Sequence, residues 1–463
     1  MTPEEFRHHG RQLIDWIADY HESLDQRTIL PEVQPGDIRA LLPQRAPEQP
    51  EPFEEILADL DRVVMPGITH WQSPGWFAYF PANTSFPSIL GELASAGLAQ
   101  QGMLWSTSPA ATEIESHVLD WLVDLMDVPQ TWKTTSTGGG VLQMSASDST
   151  HTALVVARHR ATQSGAAAED LVVYASTQAH SSVEKGARVA GFSHVRLIAT
   201  ESGTRAMSAA ALQTAITADL AQGLVPAFVC ASVGTTGTTA VDPVGRIAEI
   251  GRQHDLWVHV DAAYAGSAMI CPEFRVHQKG LESVDSYTFN PHKWLLTNFD
   301  CSVFWVADRR PLIQALSIMP PYLVNDASQS GAVIDYRDWH VPLGRRFRAL
   351  KLWFVLRSYG AEGLRAMIRQ HVGLAQDLAA RIAAHPDLDL LAPTPFGLVS
   401  FAHREGDQET GRIVQAVNTS GTSYLTPSML DGRAYVRVSI GSATTTSVQV
   451  ERLWQLINRS AVR

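Results

Sequence analysis

The sequence predicts an α/β protein: a mostly parallel sheet with helices on both faces, preceded by a helical segment and followed by a small α+β domain. Between about residues 85 and 345, short apolar, β-branched runs alternate with segments of helical period. Beyond Gly344 the order changes to long helical stretches followed by isolated strands. A chain of 463 residues, 45% hydrophobic, can bury a large core and suggests two or three domains. The expected division is 1–84, 85–345 and 346–463.

Thr2 and Glu5 make a capping box with Pro3 at the first helical position, so a helix starts there. Its apolar face is Phe6, Leu13, Ile17, Tyr20 and Leu24. Residues 29–52 are proline-rich and read as an extended strap, after which Phe53, Ile56, Leu57, Leu60 and Val64 give a second amphipathic helix ending at Pro66. Two helices on a strap cannot close a core of their own. The amount of apolar face favours an intertwined homodimer. Trp71, Trp76, Phe77, Tyr79, Phe80 and Pro81 then crowd together, which suits the wall of an apolar pocket and equally a core-facing loop.

Strand-like runs follow at 171–174, 225–229, 256–260, 283–289 and 302–306, with helical segments at 152–160, 208–220 and 243–254. Ligands of such a sheet collect at the carboxyl ends of its strands. The last third reads as helices at 346–359 and 361–384, strands at 397–401 and 434–440, and a helix at 448–458.

A net charge of -11 without runs of lysine or arginine argues against nucleic acid or an anionic membrane as partner and favours small molecules. Cys230, Cys271 and Cys301 form no C-x-x-C pair, which suits core thiols in a reducing compartment. With no apolar signal segment after Met1 and no run long enough to span a bilayer, a cytoplasmic location is expected. No histidine has metal-ligand spacing, and no metal is expected.

Lys293 lies in Thr288-Phe289-Asn290-Pro291-His292-Lys293-Trp294, at the end of an apolar segment. Desolvation disfavours its ammonium form, so it can attack a carbonyl and hold a Schiff base. A lysine snorkelling from a strand end would look the same on this stretch alone. The chain has only four other lysines, and Lys133, Lys185, Lys279 and Lys351 all read as solvated or paired. Asp261 ends a strand, where it can face the ligand crevice or cap the turn at Ala262 and Ala263. A buried carboxylate opposite a Schiff-base lysine would hold the ring proton of pyridoxal phosphate. Gly138 to Gly140, followed by hydroxyl residues from Ser145 to Thr150 and a helix, can supply phosphate donors, with the Gly234 to Gly237 loop at the same edge. His180 follows a strand, a place where histidines are structural hydrogen-bonders more often than catalysts.

Five strings in order, Met65 to Trp71, Ala179 to Glu184, His259 to Ser267, Asn290 to Trp294 and Pro342 to Phe347, resemble the aromatic L-amino acid decarboxylases. These are group II pyridoxal-phosphate-dependent decarboxylases of the type I aminotransferase-like fold. The resemblance implies that Lys293 holds the cofactor and Asp261 its ring proton. It also implies that Ala146, Ser147, Thr236, Ala263, Asn290 and His292 surround the cofactor and that His180 stacks on it. Tyr322 matches a loop tyrosine that protonates the α-carbon, directly or through His180. Trp71, Tyr79, Phe80, Pro81, Ala82, Met103 and Gly344 fall on the substrate side, with Gly344 leaving room for catechol or indole rings. Ala82 and Met103 depart from the animal pattern, so the pocket is reshaped. The implied reaction takes tryptophan, phenylalanine, tyrosine or DOPA to the arylalkylamine. Two alternatives stay open: an aromatic aldehyde synthase, disfavoured by Tyr322 and His180, and a non-catalytic cofactor-binding relative.

Overall fold

A computed structural model describes residues 1–318 and 333–462. Strands β1 (Gly139–Gln143), β2 (Leu171–Ser176), β3 (His194–Ile198), β4 (Val225–Ser232), β5 (Trp257–Asp261), β6 (Ser286–Phe289) and β7 (Ser302–Val306) form one sheet. Their order is β1-β7-β6-β5-β4-β2-β3. β7 runs antiparallel to both neighbours, and the other pairings are parallel. All residues of β2, β5, β6 and β7 are buried, because helices cover both faces, and their sequences are correspondingly apolar along most of their length.

Two strands carry no such signal. β3 is a partly exposed edge, and β1 begins with the glycine run that had suggested a phosphate loop. A Cβ on Gly140 would lie 2.5 Å from Trp305, and one on Gly139 would lie 2.6 Å from Trp339. These glycines therefore let β1 pack against indoles. At β6 the expected run is shortened, since Leu281–Ser283 forms a single turn before the strand begins at Ser286.

The first helix, Pro3–Glu22, has the Thr2–Glu5 capping box, yet Phe6, Leu13 and Ile14 on it are exposed. The strap contains one short helix, Asp37–Leu41, and the second amphipathic segment is Phe53–Asp59 continued by a wider turn, Leu60–Val64. Backbone bonds tie this region to the C-terminal part: Ile29 N–H to the Gly421 carbonyl at 3.0 Å, and Phe77 N–H to that of Tyr424 at 3.1 Å.

The long helix Ala349–Ala384 is broken once, at Gly360, whose φ of 62° lies in the left-handed region. Before that break Leu352 and Val355 enter the core of the large sheet; later Ala375, Leu378 and Ile382 enter a separate core. That second core lies on an antiparallel sheet of β8 (Leu388–Leu390), β9 (Leu398–His403), β10 (Thr426–Leu430) and β11 (Arg433–Ser439), ordered β10-β11-β9-β8. Helices Asp407–Thr419 and Ala349–Ala384 pack on this sheet, and Ser447–Ala461 packs against both of them. Among the described residues no helix is long and apolar enough to cross a membrane.

Candidate active site

β2, β4, β5 and β6 end at one edge of the large sheet, and the segments following them, with the helix start after β1, enclose a cavity of about 240 Å³. Ala146, Ser147, His180, Thr236, Asp261, Ala263, Asn290, His292 and Lys293 all line it, together with Phe80.

Lys293 is aimed by its neighbours. Pro291 opens the single-turn helix Pro291–Trp294 after the buried strand β6, and the Lys293 N–H donates to the Asn290 carbonyl at 3.0 Å. Trp294 is fully buried, donates its indole N–H to His371 Nδ1 at 3.0 Å, and stacks on Tyr264 with centroids 4.6 Å apart. The lysine between these anchors turns into the cavity, with Nζ 5.4 Å from the centre of the Phe80 ring. Lys293 is half-buried and lines this cavity. Burial lowers its pKa from the ordinary ammonium value, the Arg437 charge adds to that, and Asp261 opposes it.

Asp261 combines both roles open to it. It is the last residue of β5 and buried, and its Oδ1 accepts the Ala263 N–H at 2.9 Å, yet it still forms part of the cavity wall.

At another wall starts the helix Ala146–Gln163. Ser145 Oγ caps it by accepting the Asp148 N–H at 3.2 Å, and the geometry of a helix start leaves the Ala146 and Ser147 N–H groups without intrahelical acceptors. The imidazoles near these donors are held in defined states. His292 Nδ1 accepts the Cys301 N–H at 3.0 Å, so the proton of the neutral ring sits on Nε2; burial, with help from Lys293, brings its pKa down to about 3. His180 Nδ1 accepts the Ser182 N–H at 3.2 Å, which likewise leaves the proton on Nε2. Burial lowers the His180 pKa and Asp261 opposes the shift.

Pyridoxal phosphate fits this donor set. Its phosphate matches free N–H groups at a helix start beside the Thr235 and Thr236 loop; its ring nitrogen needs a buried carboxylate, and its aldehyde an unprotonated amine. Among the described residues the buried Asn290 Oδ1 has no partner, as expected of a group whose partner is a ligand.

The other substrate-side residues lie away from the cavity wall. Trp71 and Tyr79 stack with Trp76 and Tyr424 in a half-exposed cluster against the C-terminal part. Pro81 packs on Gly441, and the Ala82 carbonyl accepts from Gln72. Met103 and Gly344 belong to a separate platform, where the Met103 carbonyl accepts the Arg337 N–H and Gly344 adjoins Gln101. Tyr322 lies outside the described residues.

Sequence reasoning did not single out Ser232, Tyr264, Phe299 or Arg437. Ser232 ends β4 as Asp261 ends β5, a signal that was legible. Arg437 comes from β11, far along the chain, and its guanidinium lies 5.1 Å from the Phe80 ring centre. Lys351, which had read as solvated, is fully buried and paired with Glu92 at 2.8 Å. It does not line the cavity, which separates it from Lys293.

Residues 35–404 match the model of the pyridoxal-dependent decarboxylase conserved domain. A phenylacetaldehyde synthase of Arabidopsis thaliana is 43% identical, covering 100% of this chain and 96% of that protein. An aromatic-L-amino-acid decarboxylase of Sus scrofa is also 43% identical, over 99% of this chain and 96% of its own length. The crystal structure of Oryza sativa TDC with PLP and tryptamine superposes with a TM-score of 0.97 at 38% identity, covering 100% of this chain and 98% of that one. A matched domain spanning most of the chain, a full-length fold match and a cavity built around a dry lysine agree: the chain belongs to the pyridoxal-dependent decarboxylases, enzymes that work through pyridoxal phosphate.

Proposed function

We propose that this chain converts aromatic L-amino acids (tryptophan, phenylalanine, tyrosine or DOPA) to the arylalkylamine and carbon dioxide. The observation that carries the reading is Lys293, a desolvated amine sharing one cavity with the buried carboxylate of Asp261 and a helix start. The aromatic preference is supported by the 43% identical aromatic-L-amino-acid decarboxylase and by the tryptamine in the similar crystal structure.

When bound, pyridoxal phosphate supplies an aldehyde that condenses with amines and a ring that accepts the electron pair released as carbon dioxide leaves. Lys293, its pKa lowered, offers an unprotonated nitrogen that would hold the cofactor. Asp261 keeps a proton on the ring nitrogen, and its bond to the Ala263 N–H fixes its orientation. Ala146, Ser147 and Thr236 anchor the phosphate. The Phe80 and Tyr264 rings exclude water from one wall. His180 presents an Nε2–H donor, suited to orient the substrate α-carboxylate. Tyr322, by resemblance, delivers the proton to the α-carbon.

We propose a homodimer with intertwined N-terminal segments in which, by resemblance, the stretch at Met103 reaches across to the second copy. Exposed apolar side chains on the helix Phe86–Leu98, namely Phe86, Leu90, Leu93 and Leu98, support it. The proposed units are a dimerising segment 1–84, a cofactor domain 85–345 and a small domain 346–463. Three buried, unpaired cysteines support a reducing, cytoplasmic setting.

Product analysis by mass spectrometry with a panel of aromatic amino acids tests the reading; equimolar amine and carbon dioxide are expected. Aldehyde with hydrogen peroxide would instead establish the second reading, which the 43% identical phenylacetaldehyde synthase supports. Cofactor binding without turnover of any panel member would establish the non-catalytic one.

A further inference from the structure

Behind His292 lies a cluster of charges that the reaction itself does not use. Arg348 grips the Asp300 carboxylate with a fork, Nε to Oδ1 at 3.2 Å and Nη2 to Oδ2 at 2.9 Å, and both residues are buried. Arg346 approaches the same carboxylate at 3.6 Å and also pairs with Glu92, whose other oxygen meets the buried Lys351 at 2.8 Å. Arg348 directly precedes the helix Ala349–Ala384, while Glu92 lies on the helix Phe86–Leu98. Phe86–Leu98 also supplies Ser88, whose Oγ accepts the Asn298 N–H at 2.9 Å. The loop 298–301 is thus fastened to two helices.

The residue after Asp300 is the one that sets the His292 ring. Cys301 donates its N–H to His292 Nδ1 at 3.0 Å, and its carbonyl accepts the His292 N–H at 3.3 Å. A peptide held at Asp300 therefore fixes the imidazole tautomer one residue later. The cluster also adjoins the helix start assigned to the phosphate, because the charges of Arg348 and Asp300 are both felt at Asp148 in its first turn.

We propose that Asp300, gripped by Arg348, is a positioning residue that holds His292 with its Nε2–H directed at the cofactor phosphate. The proposal rests on the pyridoxal-phosphate reading of the site. A buried ion pair adds little net stability compared with apolar packing, so its value here lies in fixing a direction. Loss of that direction removes one donor from a charged acceptor, while the ring and aldehyde contacts stay intact.

Comparing pyridoxal phosphate with pyridoxal, which lacks the phosphate, isolates this effect. Dissociation constants of both would be measured by absorbance on the full chain freed of cofactor, for the wild type, Asp300→Asn, His292→Ala and the double variant. Asp300→Asn is expected to weaken pyridoxal phosphate about tenfold, to leave pyridoxal within about twofold, and to add little to His292→Ala. Equal weakening of both ligands, or full additivity with His292→Ala, would make Asp300 a general anchor and overturn the proposal; unchanged binding would do so as well. Should Asp300→Asn not fold, Arg348→Lys, which keeps the charge and loses the fork, is read against the same ratio. A wild type that binds both ligands alike would instead sink the reading of the site itself.

Discussion

The Phe80 and Tyr264 rings stack with centroids 4.0 Å apart and planes 10° from parallel, and Lys293 Nζ lies 5.4 Å from the centre of Phe80. Tyr264 continues the stack onto Trp294, whose indole is bound to His371. The dryness that lowers the Lys293 pKa is therefore partly the work of one phenyl ring backed by the core. Phe80→Ala should admit water, raise the Lys293 pKa toward its ordinary value, and cost about 3 kcal/mol of packing. The expected outcome is slower cofactor capture at pH 7, with the pH midpoint of capture moved upward. Capture followed by absorbance against pH checks it, and an unmoved midpoint would show that Phe80 plays no part in the shift.

Among the described residues Lys293 is the only lysine in the cavity wall, although Lys351 is also buried. Borohydride reduction in the presence of cofactor should tag the peptide containing Lys293 alone. Lys293→Ala should remove the tag and abolish turnover, while Lys351→Met should leave the tag in place. Peptide mapping decides between them.

Asp261→Asn tests the carboxylate without disturbing its turn, because an amide oxygen can still accept the Ala263 N–H. The melting temperature should stay within a few degrees of the wild type. Turnover should fall by about two orders of magnitude or more, since a neutral amide cannot hold the ring proton. Retention of wild-type kcat would remove Asp261 from the mechanism.

Much of this architecture could be read because local chemistry and position agree. Asp261 and Lys293 each stand at the end of an apolar run, where a parallel sheet puts its ligands, and the Thr2–Glu5 capping box forms as written. What escaped reading depends on contacts between distant segments. The glycines of β1 are dictated by Trp305 and Trp339, well over a hundred residues away, and so resembled a loop. Lys351 sits among arginines on its helix, and only the crossing of that helix at Gly91, where an added Cβ would come 2.6 Å from the Lys351 Cα, buries it. Helix Asp407–Thr419 buries only Thr410, Ile413, Val414 and Val417, too sparse a stripe to stand out. Arg437 reaches the Phe80 ring of the cavity wall from the small sheet, which no local pattern announces.

By resemblance, Tyr322 and His180 are the residues that favour amine over aldehyde. On that reading Tyr322→Phe should divert product from arylalkylamine to arylacetaldehyde, with dioxygen consumed and ammonia and hydrogen peroxide released in step. Amine output equal to the wild type would refute the role assigned to Tyr322.

Acid sensitivity follows from histidines buried in their neutral form. Burial brings His259 and His371 down to about 4 and His292 and His340 down to about 3, from an ordinary value of 6.5. At His371 and His292 a proton on Nδ1 would also break a bond, from the Trp294 indole in one case and the Cys301 N–H in the other. The unfolded chain takes up protons at these side chains near pH 6.5, whereas the folded chain resists until near pH 4. Their contribution is thus complete above pH 6.5 and is lost as pH falls. Each histidine still neutral in the folded chain should cost about 1.4 kcal/mol per pH unit in that window. Urea unfolding at constant ionic strength should therefore show a falling midpoint from pH 6.5 to 4.5, with a shallower slope in His259→Asn. A midpoint independent of pH over that range would mean that these rings are not kept neutral by the fold.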